Sequence, residues 1–442
     1  MCRLEKLWAR EVLDSRGSPT IEVEAIGEAG VRASAITSSG AGREPYAARE
    51  LRDGESPRHN GRGVRRAVSL IGSEIGPALR GMDVEDQGAI DSALVELDGT
   101  PDKGRLGSNA LMAVSLAVAR AAALHRREEF HAHLNGLWKE RLAPDEASEP
   151  SLPVPIVHMI TGGCHAVRSL DFRDYLMIPV GARDFAEAVD MAASVYRSLG
   201  EILQSHGHAA HLIGPEGAYG PRLWANAQAV DHVLEAVMAA GLAIDRDVVI
   251  AIDVAATRLH AAGTSTYRLE LGGEEHDNAG MIDLLEHWVR QYPIASIMDG
   301  LAEDDWDGWV RLTERLGSRV QLAGDDLYAT QIERLRYGID HHAGNAVVVK
   351  LNQAGTLSET LDAMALARRH GLCPIVSGRC GETEDSAIAD LAVATACGLI
   401  KIGAPARSDR VSKYNRLLRI EGELGGSARY AGRSAFRHLA AG

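Results

Sequence analysis

Five apolar runs in the second half of the chain are followed closely by a charged residue, and these residues could share one site. They are Asp253, Asp325, Lys350, Arg379 and Lys401. Paired aspartates can hold a hard cation such as Mg2+, which prefers carboxylate oxygen. Two lysines in one pocket repel each other, and burial lowers their pKa further, so that one could act as a base. The set suits removal of a proton next to a carboxylate, with the metal stabilising the enediolate that forms.

In the later part of the chain, from Asp325 onward, these charged residues recur about one β/α unit apart, which indicates how the chain positions them. Eight short apolar runs alternate with helical stretches, and strands that are apolar throughout are typical of a parallel sheet buried on both faces. The runs cover residues 154–157, 176–178, 248–252, 294–297, 320–323, 347–349, 374–376 and 399–400. They predict a closed (β/α)8-type barrel, whose strand ends converge at one mouth. One charge at a strand end is usually a helix cap, but five in succession predict a common site.

The first part of the chain has a different pattern, which predicts a small α+β domain over residues 1–141. Residues 19–26 alternate apolar and polar side chains, as a half-buried strand does, and residues 31–36 could pair with them in a hairpin. Residues 109–127 form a predicted helix rich in small residues. A polar segment that contains proline follows and predicts a boundary, with the barrel domain over residues 142–442.

The loop over residues 38–46 contains two glycines and a proline, and its pattern suits neither helix nor strand. Two interpretations stay open. It could be an ordinary surface loop, or it could be a mobile lid for which Gly40 and Gly42 supply the hinges.

Composition limits the classes of partner. The 442 residues carry a formal net charge of −14, which argues against nucleic acid or an anionic membrane as the main partner but allows a local pocket for a small anion. The N-terminal residues lack the apolar segment of a signal peptide, and no apolar run approaches the ~20 residues of a membrane span. The five cysteines lack paired zinc spacing. These features predict a cytoplasmic protein with reduced thiols.

Several motifs follow one another in an order that points to common ancestry. Residues 12–20 read V-L-D-S-R-G-S-P-T, residues 162–166 read G-G-C-H-A, residues 381–385 read G-E-T-E-D and residues 401–405 read K-I-G-A-P. They resemble the corresponding motifs of the enolase family, the metal-dependent dehydratases of 2-phosphoglycerate. The resemblance spans almost the whole chain. It implies a small α+β capping domain on a modified eight-stranded (β/α)8 barrel, Mg2+ as cofactor, and a homodimer or a higher homo-oligomer.

The resemblance also implies a role for each matching residue. Lys350 matches the base that abstracts the proton, and Lys401 matches the lysine that helps to bind the substrate carboxylate. Glu216, within G-P-E-G, matches the glutamate that assists loss of the hydroxyl group. Arg379 matches the arginine that grips the phosphate, a role suited to its fork of donors. His165 matches the active-site histidine of the motif G-G-S-H-A.

The implied metal site is incomplete. Asp253 and Asp325 match two of the three carboxylates that hold the tighter Mg2+, but Met298 stands where the third is expected. A thioether is a poor ligand for Mg2+. Asp174 replaces the glutamate of the family's Q-E-F motif and is predicted to be catalytic in its place. Further substrate contacts are predicted for Gly40 and Ala41 in the lid loop and for Cys380, which replaces a serine.

Other departures cluster around the same site. They are Gly42 for the lid serine that binds a second metal, Gly378 for the histidine before the phosphate arginine, Pro215 for the aspartate of G-D-E-G-G, and Arg173 for the glutamine of Q-E-F. Drift in an inactive protein would not be expected to spare both lysines, both aspartates, the glutamate and the phosphate arginine. A remodelled pocket for a changed substrate explains the pattern better.

The leading hypothesis is a divergent enzyme of the enolase family that acts on a phosphorylated or phosphonylated small carboxylate through an enediolate-type intermediate. It would be a carbon–oxygen lyase, or a transferase similar to the carboxyphosphonoenolpyruvate synthases of phosphonate metabolism, for whose larger substrate Gly378 and Gly42 would make room. One alternative is a weak Mg2+-dependent enolase that converts 2-phosphoglycerate into phosphoenolpyruvate. The other is a non-catalytic scaffold with the enolase fold.

Overall fold

The structure, a computed structural model, describes residues 1–40, 44–54, 57–143, 149–166, 169–260, 266–436 and 438–439, and every count of elements below refers to them. An N-terminal sheet covered by helices is followed along the chain by a closed barrel of eight strands. The predicted fold class, a small α+β capping domain followed by a modified eight-stranded barrel, is confirmed.

The N-terminal part contains a three-stranded antiparallel sheet. Its strands are β1 (Leu4–Leu13), β2 (Pro19–Gly27) and β3 (Arg32–Ile36). The alternation predicted for residues 19–26 appears in β2, where Ile21, Val23 and Ala25 are fully buried. The helices are α1 (Arg65–Leu70), α2 (Gly76–Leu79), α3 (Gln87–Asp98), α4 (Ser108–Arg126) and α5 (Phe130–Lys139). Helix α4 packs against β2 and β3 and is buried on nearly all sides, as expected for a helix rich in small residues.

Ten strands follow in the C-terminal part. They are β4 (Val154–Thr161), β5 (Asp174–Ile178), β6 (Val249–Asp253), β7 (Thr266–Leu269), β8 (Glu274–Asp277), β9 (Ile294–Met298), β10 (Gln321–Gly324), β11 (Ala346–Val349), β12 (Cys373–Ser377) and β13 (Leu399–Gly403). Strands β7 and β8 form a separate hairpin, and the other eight close the barrel in the order β4-β5-β6-β9-β10-β11-β12-β13. Each of the eight predicted apolar runs lies within a barrel strand or extends beyond it by one residue, although β4 and β13 continue four and three residues past the predicted runs.

Strand β5 departs from the parallel sheet that the apolar pattern predicts. It pairs antiparallel with both β4 and β6, while the other neighbouring pairs are parallel. An antiparallel pair can be joined by a loop, whereas a parallel pair needs a crossover. As a result β5 begins at the mouth where β6 ends, and Asp174 pairs with Asp253 there.

Helices surround the barrel and follow most of its strands along the chain. They are α6 (Phe185–Ser205), α7 (Asn226–Ala239), α8 (Asn278–Gln291), α9 (Trp306–Leu316), α10 (Ile332–Asp340), α11 (Leu351–Ala354), α12 (Leu357–Arg369), α13 (Ala387–Ala394) and α14 (Ser408–Leu424). Several begin at a side chain that accepts a hydrogen bond from the first turn, such as Asp184, Asp277 and Asp305. Within the described ranges, no helix combines the length and the apolar character needed to cross a membrane.

The N-terminal part covers the mouth of the barrel. Arg120 of α4 donates to both carboxylate oxygens of Asp385 at 2.6 and 2.7 Å, and the backbone N–H of Ile36 donates to the same carboxylate at 3.0 Å. Ser39 and Gly381 exchange backbone hydrogen bonds. These contacts fix the loop after β3 against the loop after β12, and so bring the two parts of the chain to one site.

Candidate active site

A cavity of about 230 Å³ lies at the mouth of the barrel. Its lining includes Glu216, Asp325, Lys350, Arg379 and Lys401, which come from distant parts of the sequence. Asp325, Lys350 and Arg379 follow β10, β11 and β12, toward the mouth where strand ends converge in a barrel. Lys401 lies within β13. The predicted convergence of charged residues is therefore seen in the structure.

Each of the two lysines is paired with one aspartate. Lys350 Nζ lies 2.5 Å from Asp325 Oδ1, and Lys401 Nζ lies 2.5 Å from Asp253 Oδ2. Burial alone would lower the pKa of Lys401, but the Asp253 carboxylate outweighs it and the pKa is raised. The expectation of a lowered pKa is wrong for Lys401, because the pattern of strand ends did not reveal how closely each lysine meets an acid.

Arg173 lies directly beside these two aspartates. Its Nη2 atom is 2.6 Å from Asp253 Oδ2 and 3.2 Å from Asp325 Oδ2. Arg173 immediately precedes β5, and the reversed direction of that strand brings it to the mouth next to the end of β6. The pattern of charged residues after apolar runs does not include Arg173, because Arg173 precedes β5.

Met298 is a buried core residue. It ends β9, pairs in register with Asp253 on one side and with Ala323 on the other, and its side chain belongs to the apolar interior of the barrel. Its neighbour Asp299 accepts hydrogen bonds from the backbone N–H groups of Asp325 at 2.8 Å and Asp326 at 3.0 Å. Asp299 therefore orients the loop after β10 and lies beneath the cavity.

The donor set does not fit the Mg2+ ion that the family resemblance implies. Mg2+ demands near-octahedral oxygen ligands at 2.0–2.1 Å. Here one oxygen each of Asp253 and Asp325 faces the Arg173 guanidinium, and Met298 stands where the resemblance places the third carboxylate. Asp253 Oδ1 and Asp325 Oδ1 are buried without a hydrogen-bond partner in the described part of the chain, and Asp325 Oδ1 faces Lys350 Nζ at 2.5 Å. Two carboxylate oxygens, one of them already facing an ammonium group, do not supply the oxygen ligands that Mg2+ requires.

A second acidic group near the cavity does not restore the fit. Asp299, Asp325 and Asp326 bring carboxylate oxygens within 4.8 Å of one another. Both oxygens of Asp299 already accept backbone N–H groups. Burial, together with Asp326 and Asp325, raises the pKa of Asp299, which favours its neutral form.

On the other side of the cavity, a thiol, an imidazole and a carboxylate lie in a row. Cys380 Sγ is 3.4 Å from His165 Nε2, and His165 Nδ1 is 3.5 Å from Asp174 Oδ1. Burial would lower the pKa of His165, but Asp174 and Cys380 raise it to about 11. His165 is therefore an imidazolium at neutral pH and can donate a proton or a hydrogen bond to a ligand. Asp174 is fully buried behind it and does not line the cavity.

Glu216 adjoins this row and is held in its ionised form. Its carboxylate lies 3.2 Å from His158 Nε2 and 3.6 Å from Arg410 Nη1, and its Oε1 atom is 3.7 Å from Cys380 Sγ. Burial would raise the pKa of Glu216, but His158 and Arg410 lower it below its usual range. The carboxylate is thus an acceptor, and His165 is the neighbouring donor.

The loop after β3 contributes a carboxylate to the predicted phosphate position. Glu44 Oε1 accepts a hydrogen bond from Arg379 Nη2 at 2.5 Å, and its Oε2 atom accepts one from Gln353 at 3.0 Å. Burial opposes ionisation, yet Arg379 and Lys350 lower the pKa of Glu44 to about 2. The described part of this loop therefore lines the cavity and is not simply a surface connection.

Two predicted substrate contacts belong to the same loop. A Cβ atom at Gly40 would lie 2.5 Å from Arg379 Nη2, so the glycine allows the arginine its position. Ala41, like Gly42, lies outside the described residues. Sequence reasoning missed Glu44 because a carboxylate is not the residue type that an anion site suggests. Its place beside Gly42 and Pro45 in a candidate lid was the available signal.

Comparison with known protein families covers both parts of the chain. A family model described as the C-terminal TIM barrel domain of enolase matches residues 149–439. A second, described as the enolase N-terminal domain, matches residues 4–134. Together they account for the capping sheet, the barrel and the cavity between them.

Proposed function

The chain belongs to the enolase family, and from that premise we propose that it is a divergent enzyme acting on a phosphorylated or phosphonylated small carboxylate. Members of the family use Mg2+ in general, bind small anionic substrates and oligomerise. The observation that carries the proposal is the meeting of Lys350, Lys401 and Arg379 with Glu216 in one cavity of about 230 Å³. We further propose a homodimer and a cytoplasmic setting.

The cavity supports binding of a small molecule that carries two anionic groups. Arg379 lines it and offers the planar fork of donors that suits a phosphate or phosphonate group. Lys401 lines the same cavity beside Asp253, and its raised pKa keeps it positively charged for a carboxylate. We propose that a molecule with both groups binds these two cations and presents its central carbon to Lys350.

Lys350 is proposed as the group that takes the proton from the carbon next to the carboxylate. Its Nζ atom reaches the cavity and also lies 2.5 Å from Asp325, which orients it. Positive charge around the carboxylate stabilises the enediolate that forms when the proton leaves. At the other side of the substrate, His165 can donate a proton to a leaving group, and ionised Glu216 can accept a hydrogen bond.

A changed residue beside the phosphate arginine favours a substrate other than 2-phosphoglycerate within this class. Gly378 lines the cavity directly before Arg379, where the family carries a histidine, so the side chain that the family places there is absent. We therefore propose a phosphonylated carboxylate of specialised metabolism as the natural substrate, and 2-phosphoglycerate as a weaker one.

Exchange of the substrate's carbon-bound proton tests the proposal without assuming the product. The protein is incubated with 2-phosphoglycerate or with a phosphonate analogue in D2O, and loss of the proton next to the carboxylate is followed by NMR. We expect exchange that the variant Lys350→Ala abolishes. The control Lys139→Ala alters an exposed lysine that pairs with Glu149, away from the residues that line the cavity, and it should exchange normally.

Phosphoenolpyruvate absorbance, measured in parallel over a wide range of Mg2+, separates the alternatives. Steady formation of phosphoenolpyruvate would identify a working enolase. Exchange without this product would favour the changed substrate. If neither ligand shows exchange and neither raises the melting temperature, the proposed chemistry is wrong and the non-catalytic scaffold is the better account.

A further inference from the structure

We propose that the guanidinium of Arg173 is the resident cation of this site: it takes the position between Asp253 and Asp325 that Mg2+ takes in the family, and it holds the substrate carboxylate there. Its Nη2 atom contacts both carboxylates, at 2.6 and 3.2 Å. The first half of the inference concerns the chain alone. The second half, the hold on a carboxylate, rests on the proposed function.

Two departures from the family sequence act together at this point. Arg173 replaces a neutral glutamine, and Met298 replaces an acidic ligand. The two changes raise the formal charge of the site by two, which is the charge that Mg2+ carries. Their positions are neighbours around the barrel, because β5, β6 and β9 are adjacent and Asp253 pairs with both Asp174 and Met298. The positive charge gained at Arg173 and the negative charge lost at Met298 thus replace, at the same place in the barrel, the charge that Mg2+ would supply.

The arginine is built into the site and is not a surface side chain that happens to reach it. Its side chain is 12% exposed, and the two aspartates that it contacts are buried. The guanidinium is weakly hydrated and matches carboxylate geometry, so it suits a buried ion pair better than an ammonium group does. A divalent ion would have to enter against this fixed positive charge.

The same guanidinium can serve a ligand on its other side. Arginine has five N–H donors, and Arg173 Nη1 makes no hydrogen bond to any residue in the described ranges, while the side chain lines the cavity. Lys401 lines the same cavity and shares Asp253 with Arg173. A substrate carboxylate beside both cations would receive the positive charge that a metal supplies elsewhere in the family.

Binding of Mn2+ tests the first half without any substrate. Free Mn2+ is followed by its electron paramagnetic resonance signal while the wild-type protein is added, and the double variant Arg173→Gln/Met298→Glu is treated in the same way. We expect that the wild type does not take up Mn2+ that Mg2+ can displace, and that the double variant binds one equivalent. A displaceable equivalent on the wild type would overturn the inference, and this arm stands even if the variant fails to fold.

Ligand binding in EDTA tests the second half. 2-Phosphoglycerate is titrated into the wild-type protein by calorimetry, and we expect binding in EDTA that Arg173→Met weakens about tenfold or more, the loss expected for a hydrogen bond between charged groups. The control Arg258→Met removes an exposed cation that lines the same cavity, and it should weaken binding much less.

The two arms distinguish failure of the inference from failure of the proposed function. Binding of 2-phosphoglycerate that requires Mg2+ would refute the role of Arg173 and leave the proposed substrate class intact. No binding with or without Mg2+ would refute the proposed substrate class and the carboxylate role, and the Mn2+ result would still decide which cation occupies the site.

Discussion

Removal of the Arg173 guanidinium should destabilise the folded protein measurably. In the variant Arg173→Met, Asp253 and Asp325 each lose one cation but keep a lysine at 2.5 Å. Breaking a buried ion pair by removing one partner costs about 3–5 kcal/mol, because a charge is left buried without compensation. Since both aspartates keep a partner, we expect the lower end of that range, about 3 kcal/mol.

The expected change in melting temperature follows from the size of the barrel. The matched barrel region runs from residue 149 to residue 439. At roughly 2 cal/mol/K for each residue, its unfolding entropy is about 0.6 kcal/mol/K, so 3 kcal/mol corresponds to about 5 °C. Differential scanning calorimetry in EDTA measures this shift. The control Arg258→Met removes an exposed arginine at the same cavity and should shift the melting temperature by less than about 1 °C.

Addition of Mg2+ in the same calorimeter gives a second test of the role of Arg173. If the folded protein binds Mg2+, its free energy of unfolding rises by about 2.7 kcal/mol when the ion is present at a hundred times its dissociation constant. We expect added Mg2+ to leave the wild-type melting temperature unchanged. An unchanged melting temperature in Arg173→Met, or a rise of the wild type in Mg2+, would refute the argument that the arginine neutralises these aspartates.

Two further outcomes are expected. Burial, Asp326 and Asp304 raise the pKa of Glu303 from 4.5 to about 7, so its ionisation opposes folding and lowers stability as the pH rises from about 4.5 to about 7. Glu303→Gln should be more stable than the wild type in urea unfolding at pH 8 and nearly equal to it at about pH 4. An equal difference at both pH values would contradict the shift. The variant Glu44→Gln removes the anion that Arg379 now binds, so calorimetry should detect tighter phosphate binding, on the order of tenfold; unchanged affinity would mean that the glutamate does not compete.

Much of the barrel could be predicted from the sequence because its strands are continuous apolar segments with helices between them. Strand β1 was not predicted, since its pairing shifts register between Leu4 and Lys6 and its buried positions do not alternate regularly. The direction of β5 was also beyond the apolar pattern, because a strand buried on both faces has the same composition in either direction.

In the candidate site, too, some residues could be predicted from the sequence and others could not. Charged residues that follow apolar runs, such as Lys350 and Lys401, could be found from their spacing, although β13 continues past Lys401. Arg173 precedes a strand, and its meaning depends on the reversal of β5. Glu44 comes from the other part of the chain, and its contact with Arg379 is a long-range contact that no local pattern contains.

One short connection contributes a large share of this cavity. The chain leaves β4 at Thr161 and enters β5 at Asp174, and between them it supplies His165 and Arg173. Because this connection joins two adjacent antiparallel strands, it needs no crossover helix, yet Leu170 and Phe172 anchor it in the apolar core. The same anchored loop therefore holds both a proton donor and a fixed cation against one anion pocket, so that a change in its packing would alter both groups at once.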